Sequence, residues 1–159
     1  MSDMSKVEKG QLRVNAIRNG SVIDHIPVEH LFQVVRLLHL DRLTEPITIG
    51  QNLRSGKIGR KGIVKVEEKY FCEEELNRLA LISPDIVVNI IREYEVVEKK
   101  HVTLPEDIIG LVHCPNPKCI TNNEPMKSAF RLIDRSEEIL QCDYCNRKVH
   151  RDEIVLTEE

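Results

Sequence analysis

The sequence predicts an α+β protein of two domains, and three observations carry that reading. Short strand-like and helix-like segments alternate over roughly the first hundred residues. Beyond them, Cys114, Cys119, Cys142 and Cys145 form two close pairs in one short stretch. Between the two regions, the composition changes at residues 101–106. Residues 1–104 are expected to form a ferredoxin-like α/β sandwich, a mostly antiparallel sheet with two helices. Residues 105–159 are expected to form a small β domain organised by the four cysteines.

The elements follow in order. Residues 12–17 are strand-like, Asn19-Gly20 is a hairpin signal because both residue types tolerate positive φ, and residues 21–26 return as a second strand. Pro27 opens a helix on which Leu31, Val34, Val35 and Leu38 recur at helical spacing. Residues 46–53 and 63–66 read as two further strands around a Gly-rich connection. Residues 73–81 make a second amphipathic helix with Leu76, Leu79 and Ala80 inward. β-Branched residues then mark strands at 86–91 and 94–97. The predicted order is β-β-α-β-β-α-β-β.

Composition bounds the function. Charged residues are 31% and apolar ones 41%, the balance of a folded domain rather than a disordered chain. Aromatics are only 4% with no Trp, so Val, Ile and Leu must build the core. A net charge of -3 argues against nucleic acid or an anionic membrane as partner. No window is long and apolar enough to span a bilayer, and residues 1–10 lack the apolar core of a secretory signal. A cytoplasmic, reducing location is therefore expected.

Cys114-x4-Cys119 and Cys142-x2-Cys145, with 22 residues between the pairs, let four thiolates converge on one tetrahedral ion. Zinc suits such a sulfur set, ahead of an iron–sulfur cluster, disulfides or free thiols. With four protein ligands no coordination position stays open, so the ion would be structural. Residues 129–133 and 138–141 read as the hairpin of a zinc ribbon. His113 and His150 read as surface histidines, and Cys72 as a buried or helix-start thiol without chemistry. Arg147, Lys148 and Arg151 are offset by Asp143, Asp152 and Glu153, which favours docking to protein over nucleic acid.

In the first domain, Asp24 and His25 interrupt an apolar strand, where alternation would send them to opposite faces. Lys65 reads as a solvent-facing edge residue and Lys99 lies near a strand end. Cations, a carboxylate and an aromatic near strand ends suit a phosphorylated, hydroxyl-rich, ring-bearing ligand. The stretch Ser55-Gly-Lys-Ile-Gly-Arg-Lys-Gly62 does not match a Walker loop and reads as a turn. No nucleophile–base motif is visible. A nucleic-acid-binding ribbon protein and an independent enzyme are the weaker alternatives.

The segment Val14-Asn-Ala-Ile-Arg-Asn-Gly-Ser-Val-Ile-Asp-His-Ile-Pro27 resembles the opening of the regulatory chain of prokaryotic aspartate carbamoyltransferase. So do Ile47-Thr-Ile-Gly-Gln-Asn-Leu53, Gly59-Arg-Lys61, Val88-Asn89 and Tyr94-Glu-Val-Val97. Cys114-Pro-Asn-Pro-Lys-Cys119, Glu124-Pro125 and Cys142-Asp-Tyr-Cys145 extend the likeness to the C-terminal region. Asn15 stands where the family pattern has Glu.

The resemblance implies a non-catalytic subunit. Its first domain would bind CTP, aided by UTP, as inhibitor and ATP as activator. Its zinc domain would dock onto the catalytic chain, and paired regulatory chains would bridge two catalytic trimers in pyrimidine synthesis. By position, the nucleotide site would comprise Val14, Ala16, Ile17, Val22, Asp24, His25, Lys61, Ile63, Lys65, Asn89, Tyr94, Val96 and Lys99. Ile17 and Tyr94 would meet the base through backbone groups, Asp24 and Lys65 the ribose, and His25 and Lys99 the phosphates. Lys61 would add a phosphate or second-nucleotide contact.

Overall fold

The computed structural model describes residues 16–56 and 59–157. The chain separates into two compact units between Thr103 and Leu104.

The first unit starts with β1 (Gly20–Pro27), a 3₁₀ turn at Val28–His30 and α1 (Leu31–Leu37). A hairpin of β2 (Ile47–Ser55) and β3 (Gly59–Glu67) follows, then α2 (Glu73–Arg78), extended by a 3₁₀ turn at Leu79–Leu81. β4 (Val87–Arg92) and β5 (Glu95–His101) complete it. The sheet is antiparallel, in the order β2-β3-β1-β4-β5. The first four strands and two helices make the split β-α-β pattern of a ferredoxin-like fold, and β5 is an added edge.

Alternation divides the sheet into two faces. Ile23, Val64, Val66 and Val88 are fully buried, as are Leu31, Val34, Leu79 and Ala80 from the helical segments, so the main core lies between sheet and helices. α1 comes so close to β3 that a Cβ on Gly62 would lie 2.8 Å from Leu31 Cδ1. The opposite face carries a smaller apolar cluster of Ile17, Val22, Ile63 and Ile91, with Leu53 packed against it.

The structure departs from the sequence-based expectation in four places. β1 is central: Gly20 pairs with Glu67 of β3 and with Ile91 of β4, so both edges are taken. Residues 12–15 lie outside the described residues, and Ala16 and Ile17 have no regular secondary structure. Gly20 is required for a different reason, since its φ is +145° and a Cβ there would sit 2.1 Å from Val66 O.

Second, β1 and β2 are bulged at the same level of β3. Ile23 and Ile26 face Val64 and Gly62, so Asp24 and His25 together oppose one residue. Gly50 and Leu53 likewise face Ile63 and Lys61. His25 and Asn52 take positive φ, 57° and 62°, and the strict alternation predicted for Asp24 and His25 is lost there. Third, Lys65 lies inside β3, between β1 and β2, rather than on an edge. Fourth, Tyr94 belongs to a turn. Arg92 pairs with Glu95, and Glu93 and Tyr94 between them have φ 50° and 67°, a tight hairpin built without glycine.

The second unit consists of β6 (Asp107–Ile109), α3 (Ile120–Asn123), β7 (Ala129–Asp134), β8 (Ile139–Cys142) and β9 (Lys148–His150). Its four strands form an antiparallel sheet in chain order. Ile108, Val112, Phe130, Leu140 and Val149 are buried at its centre. His113 N–H donates to Val155 O at 2.8 Å and Thr157 N–H to Leu111 O at 2.9 Å, which ties down the C-terminal segment.

Candidate functional site

The register of the first sheet assembles most of the residues singled out there. Lys65 on β3 pairs with Val22 on β1, Val22 with Asn89 on β4, and Asn89 with Lys99 on β5. Directly paired residues share a face, so these four form one row across the helix-free side, about 14 Å over three strand spacings. The next pair towards the β4–β5 turn is Ile91 with Val96, and Tyr94 lies at the turn itself. Ile63 is two residues before Lys65 on β3, and Ile17 packs with Val22, Ile63 and Ile91 as an apolar floor. Ala16 is exposed beside Ile17, and Val14 lies outside the described residues.

Polar groups border this floor. Asp24 Oδ1 accepts the His25 N–H at 2.6 Å and pairs with Lys61 Nζ at 2.8 Å, both side chains largely shielded. Burial holds the Lys65 ammonium below the usual lysine range, an effect the nearby Asp24 charge only partly offsets. His25 Nδ1 and Asn89 Oδ1 are buried without a hydrogen-bond partner. Buried polar atoms are ordinarily satisfied, so two such atoms among the same residues suit a face that accepts a polar ligand. An apolar floor flanked by ammonium groups, a carboxylate and an imidazole can take a flat ring, a polyol and phosphates.

In the second unit, the sulfurs of Cys114, Cys119, Cys142 and Cys145 all lie within 4.8 Å of one another, and no histidine belongs to the cluster. Cys114 Sγ is 3.6 Å from Cys145 Sγ, and Cys119 Sγ is 3.8 Å from Cys142 Sγ. A tetrahedron with metal–sulfur bonds of ~2.3 Å has edges of about 3.8 Å, so the set fits one ion. As free thiols Cys114 and Cys145 differ. Burial, reinforced by hydrogen bonding to Cys145, pushes Cys114 up to about 12. Burial also raises Cys145, but hydrogen bonds from Asn116, Arg147 N–H, Cys114 and Cys142 bring it down to about 7. His113 and His150 are both exposed. Cys72 is exposed at the start of α2, where its N–H donates to Glu75 Oε1 at 3.1 Å.

Asparagines, which sequence reasoning missed, shape both cysteine turns. Asn122 Nδ2 donates to Cys114 O and Asn116 O at 2.8 and 2.7 Å. Asn123 Nδ2 donates to Cys119 O at 2.8 Å, and Asn116 Oδ1 accepts the Lys118 N–H at 3.0 Å. Asn146, with φ 63°, closes the second turn through its N–H to Cys142 O at 3.0 Å. The signal was available: asparagine two residues after Cys114 and directly after Cys145 is turn chemistry.

Comparison with known families settles what kind of chain this is. Residues 12–103 match the sequence model for the allosteric domain of the aspartate carbamoyltransferase regulatory chain. Residues 106–155 match the model for its metal binding domain. The chain belongs to the aspartate carbamoyltransferase regulatory chain family. A regulatory chain from Porphyromonas gingivalis is 59% identical over 150 residues, which cover 94% of this chain and 99% of that one. One from Parabacteroides distasonis is 53% identical, covering 96% and 99%. One from the archaeon Pyrococcus abyssi is 44% identical, covering 91% and 97%. The chain is thus a regulatory, non-catalytic subunit, with an allosteric domain followed by a metal-binding domain. Among the described residues no helix is long and apolar enough to cross a membrane.

Proposed function

We propose that this chain is the nucleotide-sensing subunit of a cytoplasmic aspartate carbamoyltransferase, inhibited through CTP with UTP and activated through ATP. The observation that carries the reading is the row Lys65, Val22, Asn89 and Lys99, laid beside the unpartnered polar atoms of His25 and Asn89. Ile17 and Tyr94 receive the base, Asp24 and Lys65 the ribose, and His25 and Lys99 the phosphates. Ala16, Val22, Ile63 and Val96 shape the apolar surroundings, and Lys61 adds positive charge.

Cys114, Cys119, Cys142 and Cys145 would hold one zinc ion, which supplies rigidity rather than chemistry. The sulfur spacing and the family's metal-binding domain support that assignment. The small core of this unit depends on the ion, and the folded unit is the surface that docks onto the catalytic chain. Paired regulatory chains bridge catalytic trimers. A nucleotide acts at a distance only by binding two quaternary states unequally, so effector affinity must change with the catalytic state. Aspartate saturation of the reconstituted enzyme tests this. CTP is expected to move the half-saturating aspartate concentration upward and ATP downward. Curves that superimpose with and without nucleotide would reject the reading.

A further inference from the structure

We infer that Asn19, seconded by Arg18, is a positioning residue for base discrimination, a role that rests on the nucleotide site proposed above. Glu93 and Tyr94 both occupy positive φ without being glycine, so their turn is not the chain's own preference and must be held by neighbours. Among the described residues, the holders come from one dipeptide. Tyr94 N–H donates to Arg18 O at 2.9 Å, and Glu93 N–H donates to Asn19 Oδ1 at 3.1 Å. The Arg18 guanidinium makes two further bonds to the Glu93 carboxylate, at 3.0 and 3.2 Å.

Asn19 is itself fixed. Its carbonyl accepts the Glu68 N–H at 2.9 Å, and Gly20 beside it has no room for a side chain. On the other side Ile17 is buried in the apolar floor. The dipeptide therefore links the two segments assigned to the base, Ile17 and Tyr94, at a set separation. The exposed Arg18–Glu93 pair contributes little by itself. The Asn19 amide carries most of the effect, because without it the Glu93 N–H loses its acceptor. Purine and pyrimidine edges lie at different distances from the ribose, so a displaced turn changes their affinities unequally.

The test is calorimetric titration of the full-length chain with CTP and, separately, with ATP. Asn19→Ala is expected to change the ratio of the two dissociation constants about fivefold. Asn19→Asp, which keeps an acceptor for Glu93 N–H, should restore the ratio to within about twofold. Arg18→Met, at an exposed side chain that folding does not need, should shift the ratio in the same direction by about twofold. Lys99→Ala, a phosphate contact, should weaken both nucleotides in parallel and leave the ratio alone. An unchanged ratio in Asn19→Ala, or no rescue by Asn19→Asp, overturns the inference while the nucleotide site stands. If Asn19→Ala does not fold, an unchanged ratio in Arg18→Met overturns it instead. A wild-type chain that binds neither nucleotide overturns both.

Discussion

Cys114→Ser is expected to leave the C-terminal unit without metal and without its fold. The serine hydroxyl is a poor zinc ligand, and the remaining three thiols would hold the ion far more weakly. Structural zinc is worth on the order of 10 kcal/mol of apparent binding free energy in small domains, more than the whole stability of a unit of this size. The buried core offers little to compensate, since it rests on Ile108, Val112, Phe130, Leu140 and Val149. Metal analysis should fall from one zinc per chain to near zero, and amide signals from residues 104–157 should lose their dispersion. CTP binding by the first unit should persist, because none of its assigned residues lies beyond Lys99. Retention of one zinc per chain and a dispersed spectrum would contradict this account of the metal.

Lys99→Ala should weaken CTP binding by about tenfold or more, the scale of a charge-assisted contact to phosphate. Lys99 ends the cross-strand row opposite Lys65 and is exposed on the outer strand. Its removal leaves the buried core untouched, so thermal stability should stay within about 0.5 kcal/mol of wild type. Rising salt should narrow the difference between the two proteins, since the lost interaction is electrostatic. Equal CTP affinity in calorimetry would remove Lys99 from the site.

The parts of this structure legible in the sequence are those set by local chemistry. The cysteine pairs announce their convergence because metal ligation demands particular residues at short spacing. The helix at residues 73–81 is legible through its inward Leu76, Leu79 and Ala80, all buried. What could not be read depends on pairing between distant strands. Asn19-Gly20 has hairpin chemistry, yet β1 lies between β3 and β4, and the same residues clasp other turns. Lys65 looks like an edge residue in a short apolar run, and only the strand order makes it interior. The bulge at Asp24 and His25 has no local signature, because it arises from how β1 meets β3. The turn at Glu93-Tyr94 carries no glycine to mark it, since its geometry is imposed by Arg18 and Asn19. The residues of the proposed nucleotide face were grouped through the family resemblance. Composition and periodicity alone showed polar residues in strands, without showing that they share a row.

The most direct test of the regulatory role is size-exclusion chromatography of the chain mixed with its catalytic partner, with zinc present and again after chelation. The account predicts a large complex with zinc and separate elution once zinc is removed. Separate elution with zinc bound would contradict it.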